Sequence, residues 1–153
     1  MESSESSLEA DILNTVKELV TSYVDSLDEI VTFVLLNTPD GLPVITTLDS
    51  GTAINEFLSA SGSAISEIAY SYSEYTGIGG LNNVVIWGER GHVIVKRLDE
   101  HLILAVGFLS RDLRRTSEIV EDLGKLILES LKENEVGGAD KEETELSEGS
   151  LLS

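Results

Sequence analysis

The chain contains no cysteine, which removes disulfides, thiolate metal sites and cysteine nucleophiles together. Basic residues are also scarce. Ten lysines and arginines stand against 28 aspartates and glutamates, leaving a formal net charge of −18. Such a field disfavours phosphate backbones and anionic membranes, since both need Lys and Arg to displace counterions. Neither nucleic-acid binding nor direct membrane insertion is therefore expected. The acidic surplus serves solubility through weak self-repulsion, or it attracts a basic patch on a partner. Long apolar runs are missing too. The longest, Ile30 to Leu36, is too short to span a bilayer. The start, MESSESSLEAD, is acidic and polar, the opposite of a signal peptide's basic and apolar opening. A cytoplasmic protein is the expectation.

What is present first is a helical stripe. Leu8, Ile12, Val16, Leu19, Val20, Tyr23 and Leu27 recur at three- and four-residue spacing, which predicts a helix from about Ser7 to Asp25. Ser6 or Ser7 would cap it. The β-branched run Ile30 to Leu36 predicts a buried strand. Thr38-Pro39-Asp40-Gly41 is a turn that closes a hairpin onto Leu42 to Leu48. Pro43 has no N–H for a ladder bond, so this second strand belongs at a sheet edge.

A helix is predicted from about Ala53 to Tyr75, with Ile54, Phe57, Leu58, Ile65, Ile68, Ala69 and Tyr72 on its apolar side. Its middle, Ser59 to Ala64, is a run of small residues. Gly62 there costs about 1 kcal/mol against Ala. Either the helix is interrupted at that point, or the small side chains let another backbone come close.

Three further strands are predicted over Asn83 to Trp87, His92 to Leu98 and His101 to Phe108, with turns at Gly88 to Gly91 and at Asp99-Glu100. They read as an antiparallel meander at the centre of a larger sheet. In the middle strand Val93, Val95 and Arg97 share one side, with His92, Ile94, Lys96 and Leu98 on the other. Ser110 or Asp112 caps a last helix whose buried side carries Leu113, Ile119, Val120, Leu123, Leu126, Ile127 and Leu131. The order is α-β-β-α-β-β-β-α, an α+β arrangement. It predicts a five-stranded antiparallel sheet with one helix on one face and the terminal helices on the other. Residues 7–132 form the domain, flanked by acidic segments, 1–6 and 133–153, expected to be disordered.

No set of residues reads as an active site, and no enzyme, cofactor or metal is expected. Gly77 to Gly80 follows a helix and precedes a strand, the reverse of a phosphate-cradling loop. The two histidines, His92 and His101, have no third ligand at a recognisable spacing and read as sheet residues with ordinary hydrogen bonds. No Gly-x-Ser-x-Gly elbow places a serine beside a base. The paired carboxylates sit in the tails. Arg111, Arg114 and Arg115 read as a solvated helix face rather than a phosphoryl-stabilising cluster.

The order of elements, Gly41-Leu42-Pro43-Val44-Ile45-Thr46-Thr47 entering the edge strand, and Ile86-Trp87-Gly88-Glu89-Arg90-Gly91-His92-Val93-Ile94-Val95 between later strands resemble the roadblock/dynein-light-chain family. The similarity runs from about Leu27 to Leu126. It implies a profilin-like sandwich that pairs with itself, or with another roadblock protein, through the middle helix and the first meander strand. On matching positions it implies Ala60, Ala64, Ile68, Tyr72, Val85 and Trp87 as dimer residues. Glu67, Ser71 and Tyr75, assigned to the other side of the same helix, are implied as contacts to a small Ras-like GTPase. Family members act as scaffolds or regulators of such GTPases, and MglB-type relatives promote GTP hydrolysis. The alternative for this outline is a small-molecule sensor with a pocket between sheet and helix, opening near Gly62.

Overall fold

A computed structural model describes the backbone of residues 2–49 and 51–151 and the side chains of 8–49 and 51–134. The elements are α1 (Glu2–Asp25), β1 (Val31–Asn37), β2 (Pro43–Thr46), α2 (Thr52–Tyr75), β3 (Val84–Trp87), β4 (His92–Arg97), β5 (Ile103–Phe108) and α3 (Leu113–Leu151). The predicted order holds element for element. Both terminal helices have wider bounds than the periodicity alone suggested. Ser6 and Ser7 lie inside α1 rather than at its start, so neither caps it, and the segments expected to be disordered are helical backbone over residues 2–6 and 133–151.

All five strands join one antiparallel sheet in the order β2-β1-β5-β4-β3. β2 lies at an edge, as the missing N–H of Pro43 requires. The meander β3-β4-β5 does not occupy the centre. β5 does, paired with β1 on one side and β4 on the other, and all six of its residues are buried. The reason is in β3, which is half-buried to exposed throughout and has only β4 as a neighbour.

The alternation along β4 sets the two faces. Ile94 packs in one cluster with Val34, Leu36, Leu104, Val106 and Phe108, closed over by Val16 and Val20 of α1 and by Ile119, Val120, Leu123 and Ile127 of α3. Val95 packs on the opposite face with Leu35, Ile103 and Ala105, where Leu58 of α2 joins them. The terminal helices thus cover one face and α2 the other. α3 starts at an Asp112 cap, whose Oδ1 accepts the Arg115 N–H at 3.1 Å.

The turns form as their residues dictate. Thr38 O accepts the Gly41 N–H at 2.9 Å, and Gly41 sits at φ +88, a conformation glycine takes without a Cβ clash. Gly88 N donates to Gly91 O at 2.8 Å. His101 falls in the β4–β5 turn rather than in β5, and its backbone N–H is held by Asp99 Oδ1 at 2.7 Å. That Asp side chain turns the chain before the strand can begin. No described helix is long and apolar enough to cross a membrane.

Candidate interaction face on α2 and β3

α2 runs unbroken through Gly62, so the interruption considered for that point does not occur. The close approach does occur, but the backbone that approaches belongs to the same chain. A Cβ on Gly41 would lie 2.9 Å from Ala60 Cα, which places the β1–β2 turn directly on the helix. Asn37 Nδ2 donates to Ser59 O at 3.3 Å, and Ser63 Oγ donates to Pro39 O. The small residues are where the hairpin leaves no room for larger ones.

This packing reverses the expected orientation of the helix. The residues of α2 buried against the sheet are Asn55, Ser59, Gly62, Ser66 and Ser73. Most of its large apolar residues face outward: Phe57 is 68% exposed, Ile68 59%, Tyr72 70% and Tyr75 91%. Of the predicted apolar side, Leu58, Ile65 and Ala69 are half-buried, while Ile54, Phe57, Ile68 and Tyr72 are not core at all. An amphipathic helix normally turns the other way. Exposed apolar residues in one contiguous stripe mark a binding surface.

Residues implied by the resemblance fall on this stripe. Ala60 and Ala64 are exposed beside it, although the backbone of Ala60 also carries the hairpin turn. Ile68, Ser71, Tyr72 and Tyr75 line one surface groove with Thr76. Ser71 and Tyr75 are therefore not on an opposite side from Ile68 and Tyr72. Positions i, i+3, i+4 and i+7 share a helical face. Glu67 is exposed one turn before Ser71, whose Oγ donates to its carbonyl at 3.4 Å.

Val85 and Trp87 lie on β3, the second exposed part. Val85 pairs with Ile94 and Trp87 with His92, while the far side of β3 carries no strand among the described residues. The Trp87 ring stacks on His92 at 5.0 Å and 4°. His92 is itself buried, with Nδ1 2.9 Å from Ser110 O and Nε2 2.6 Å from Thr116 Oγ1. The histidine fixes the indole flat against the sheet while leaving Trp87 about half exposed. Sequence reasoning treated His92 as an isolated sheet residue. The Trp87-x4-His92 spacing across a four-residue turn was the signal for this cross-strand pair.

The other candidates behave as loops and surfaces. Gly77 and Gly79 have φ +72 and +97 and end α2 as a left-handed cap. Arg111 donates to Glu89 O at 2.6 Å, and Arg115 lies 4.0 Å from Glu118, both in solvent. Among the described residues no group of three or more His, Asp or Glu could hold a metal.

No protein-family model matches the chain, and neither does any curated protein. Solved structures do match. One is the roadblock/LC7 domain from Streptomyces avermitilis, at 19% identity and TM-score 0.58, spanning 76% of this chain and 91% of that one. The fold is the roadblock fold. The gliding protein MglB from Thermus thermophilus has the same roadblock fold, at 13% identity and TM-score 0.61, over 82% of this chain and 92% of that one. An MglB described in a tetrameric arrangement matches at 14% identity and TM-score 0.63, over 78% and 92%. The expected architecture and the observed roadblock fold agree: one helix over one face of a five-stranded sheet, two over the other.

Proposed function

We propose that this chain is a non-enzymatic adaptor that pairs through α2 and β3 and presents the pair to a small Ras-like GTPase. The partner in the pair is a second copy or another chain of roadblock fold. The observation that carries this reading is the inverted helix: α2 turns Phe57, Ile68, Tyr72 and Tyr75 outward beside a strand with a free edge. Pairing would bury that stripe and occupy the edge at once, removing two liabilities of an isolated chain. The likeness to MglB structures supports the GTPase as the further partner.

Any gain in GTP hydrolysis comes from ordering the GTPase's own catalytic groups. Arg111 is tied to Glu89 O, and Arg114 and Arg115 lie at the start of α3, on the helix layer opposite α2. None extends from the α2 surface as an arginine finger would. The test is a pull-down from source cytosol with a GTP analogue and with GDP in parallel, followed by a hydrolysis assay on what is retained. A Ras-like GTPase enriched with the analogue is the expected result. Retention of none in either state refutes the GTPase part of the reading.

A further inference from the structure

A cavity of about 430 Å³ lies between the second half of α2 and the β4–β5 turn, lined by Ser66, Tyr70, Leu81, Arg97, Asp99 and Glu100. It is separate from the outward stripe of α2 and falls within the size range of small-molecule sites. Five of its six lining residues are polar or charged, and the two signs come from different elements. Ser66 and Tyr70 belong to α2 and Arg97 ends β4, whereas Asp99 and Glu100 form the turn.

Three features make this more than a surface dip. Ser66 is 5% exposed as a residue and lines the cavity from α2, so what it leaves accessible is a polar side chain on an otherwise covered helix face. Arg97 is held in place by Nε donating to Asp99 O at 3.1 Å. That leaves its outer N–H groups unused, and it forms no ion pair among the described residues despite the acidic turn beside it. Asp99 is oriented through Oδ1 on the His101 N–H at 2.7 Å, so its other oxygen remains to accept. Arg97 and Asp99 are thus both fixed to the turn, the first through the Asp99 carbonyl and the second through the His101 N–H.

We infer that this cavity binds a small zwitterion, a free α-amino acid, with its carboxylate on Arg97 and Ser66 and its ammonium on Asp99 and Glu100. The guanidinium fork suits a carboxylate in two parallel hydrogen bonds. Tyr70 donates to Glu74, whose carboxylate holds the phenol above its ordinary range first by that hydrogen bond and then by its charge. Its oxygen is thereby left to accept from the ammonium. Leu81 is the only hydrocarbon side chain in the lining, so the amino acid carries a small aliphatic side chain. The inference concerns a different surface from the GTPase-adaptor reading and stands or falls apart from it.

The experiment is calorimetric titration of the full chain with free valine and leucine. The N-acetyl amino acid and the decarboxylated amine of the same side chains serve as single-charge controls. The free amino acid is expected to bind with Kd below about 1 mM, and each control at least roughly tenfold more weakly, because each leaves one set of charges unpaired. Arg97→Gln and Glu100→Gln, both on exposed residues, should each weaken binding by roughly tenfold or more with the melting temperature of the free chain unchanged. Ser66→Ala provides a variant that keeps both charges and removes only the hydroxyl, with a smaller loss. No binding of either amino acid, equal binding of a control, or unchanged affinity in Arg97→Gln would overturn the assignment.

Discussion

Gly91 shows how much a single hydrogen atom matters in this fold. A Cβ built there would sit 2.0 Å from Phe108 O and 3.0 Å from Leu109 Cα. Both obstacles are main-chain atoms at the junction of β4 with β5, and neither can swing aside as a side chain would. Gly107 is crowded too, with Thr32 Oγ1 and the Phe33 ring within 2.7 Å, but those groups have rotamers to change. Gly91→Ala should therefore destabilise by about 1–3 kcal/mol, the usual cost of forcing extra volume into a packed site. Urea unfolding measures it, and a midpoint equal to the wild type would show that the β3–β4 turn shifts freely. Gly107→Ala should cost less. The single tryptophan reports on the same turn, because Trp87 lies flat on His92 and its emission follows any shift of the pair.

At the scale of elements, the proposed pairing rests on α2 and β3. Ile68→Glu puts a charge in the outward stripe of α2, and Trp87→Glu puts one beside the free edge of β3. If these faces pair, each substitution should raise the dimer dissociation constant by roughly thirtyfold or more, as loss of about 2 kcal/mol at an interface centre does. Sedimentation equilibrium gives the constant. A mutant as dimeric as the parent would place the interface elsewhere. Ile68→Glu should leave the unfolding of the separated chain almost unchanged, since Ile68 is not part of the core.

This same helix marks where the sequence could be read and where it could not. Its length and end were visible in the spacing of apolar residues and in Gly77 to Gly80. Its facing was not. Periodicity identifies an apolar side but carries no information on what covers it, and the usual assumption turned Ile54, Phe57 and Tyr72 inward. The determinant is non-local: Gly41 on Ala60 and Asn37 under Ser59, contacts across a hairpin that no window of α2 contains. Pro43 was legible because its constraint is chemical and local, and so was the edge position of β2. The centre of the sheet was not, because the choice of β5 over β4 rests on β1 returning to pair with it. The Arg97 cavity had no local signature at all. Its lining is assembled from α2, the approach to β3 and the turn after β4.

For the whole molecule, charge and core are kept apart. Among the described residues the core clusters reach Ile127 and Leu131 of α3, while residues 133–153 add seven acidic residues and one lysine. We propose that this segment contributes solubility and no packing. Deleting everything after Glu133 should then leave the melting temperature of the domain within about 2 °C, less than a 1 kcal/mol loss would produce. A larger drop in a thermal melt would show that the segment docks.

The two edges of the sheet differ in chemistry, and that difference limits growth. One edge is β2, which opens on Pro43. The other is β3, with its outward backbone groups unpaired by any strand. A pair joined two-fold at β3 would leave β2 as the terminus at both ends of a ten-strand sheet, counted as twice the five strands of one chain. Short, proline-bearing termini do not template another strand. If the proposed pairing takes place at β3, the sheet has one reactive end per molecule, and association through it would stop at two subunits instead of propagating into a fibre.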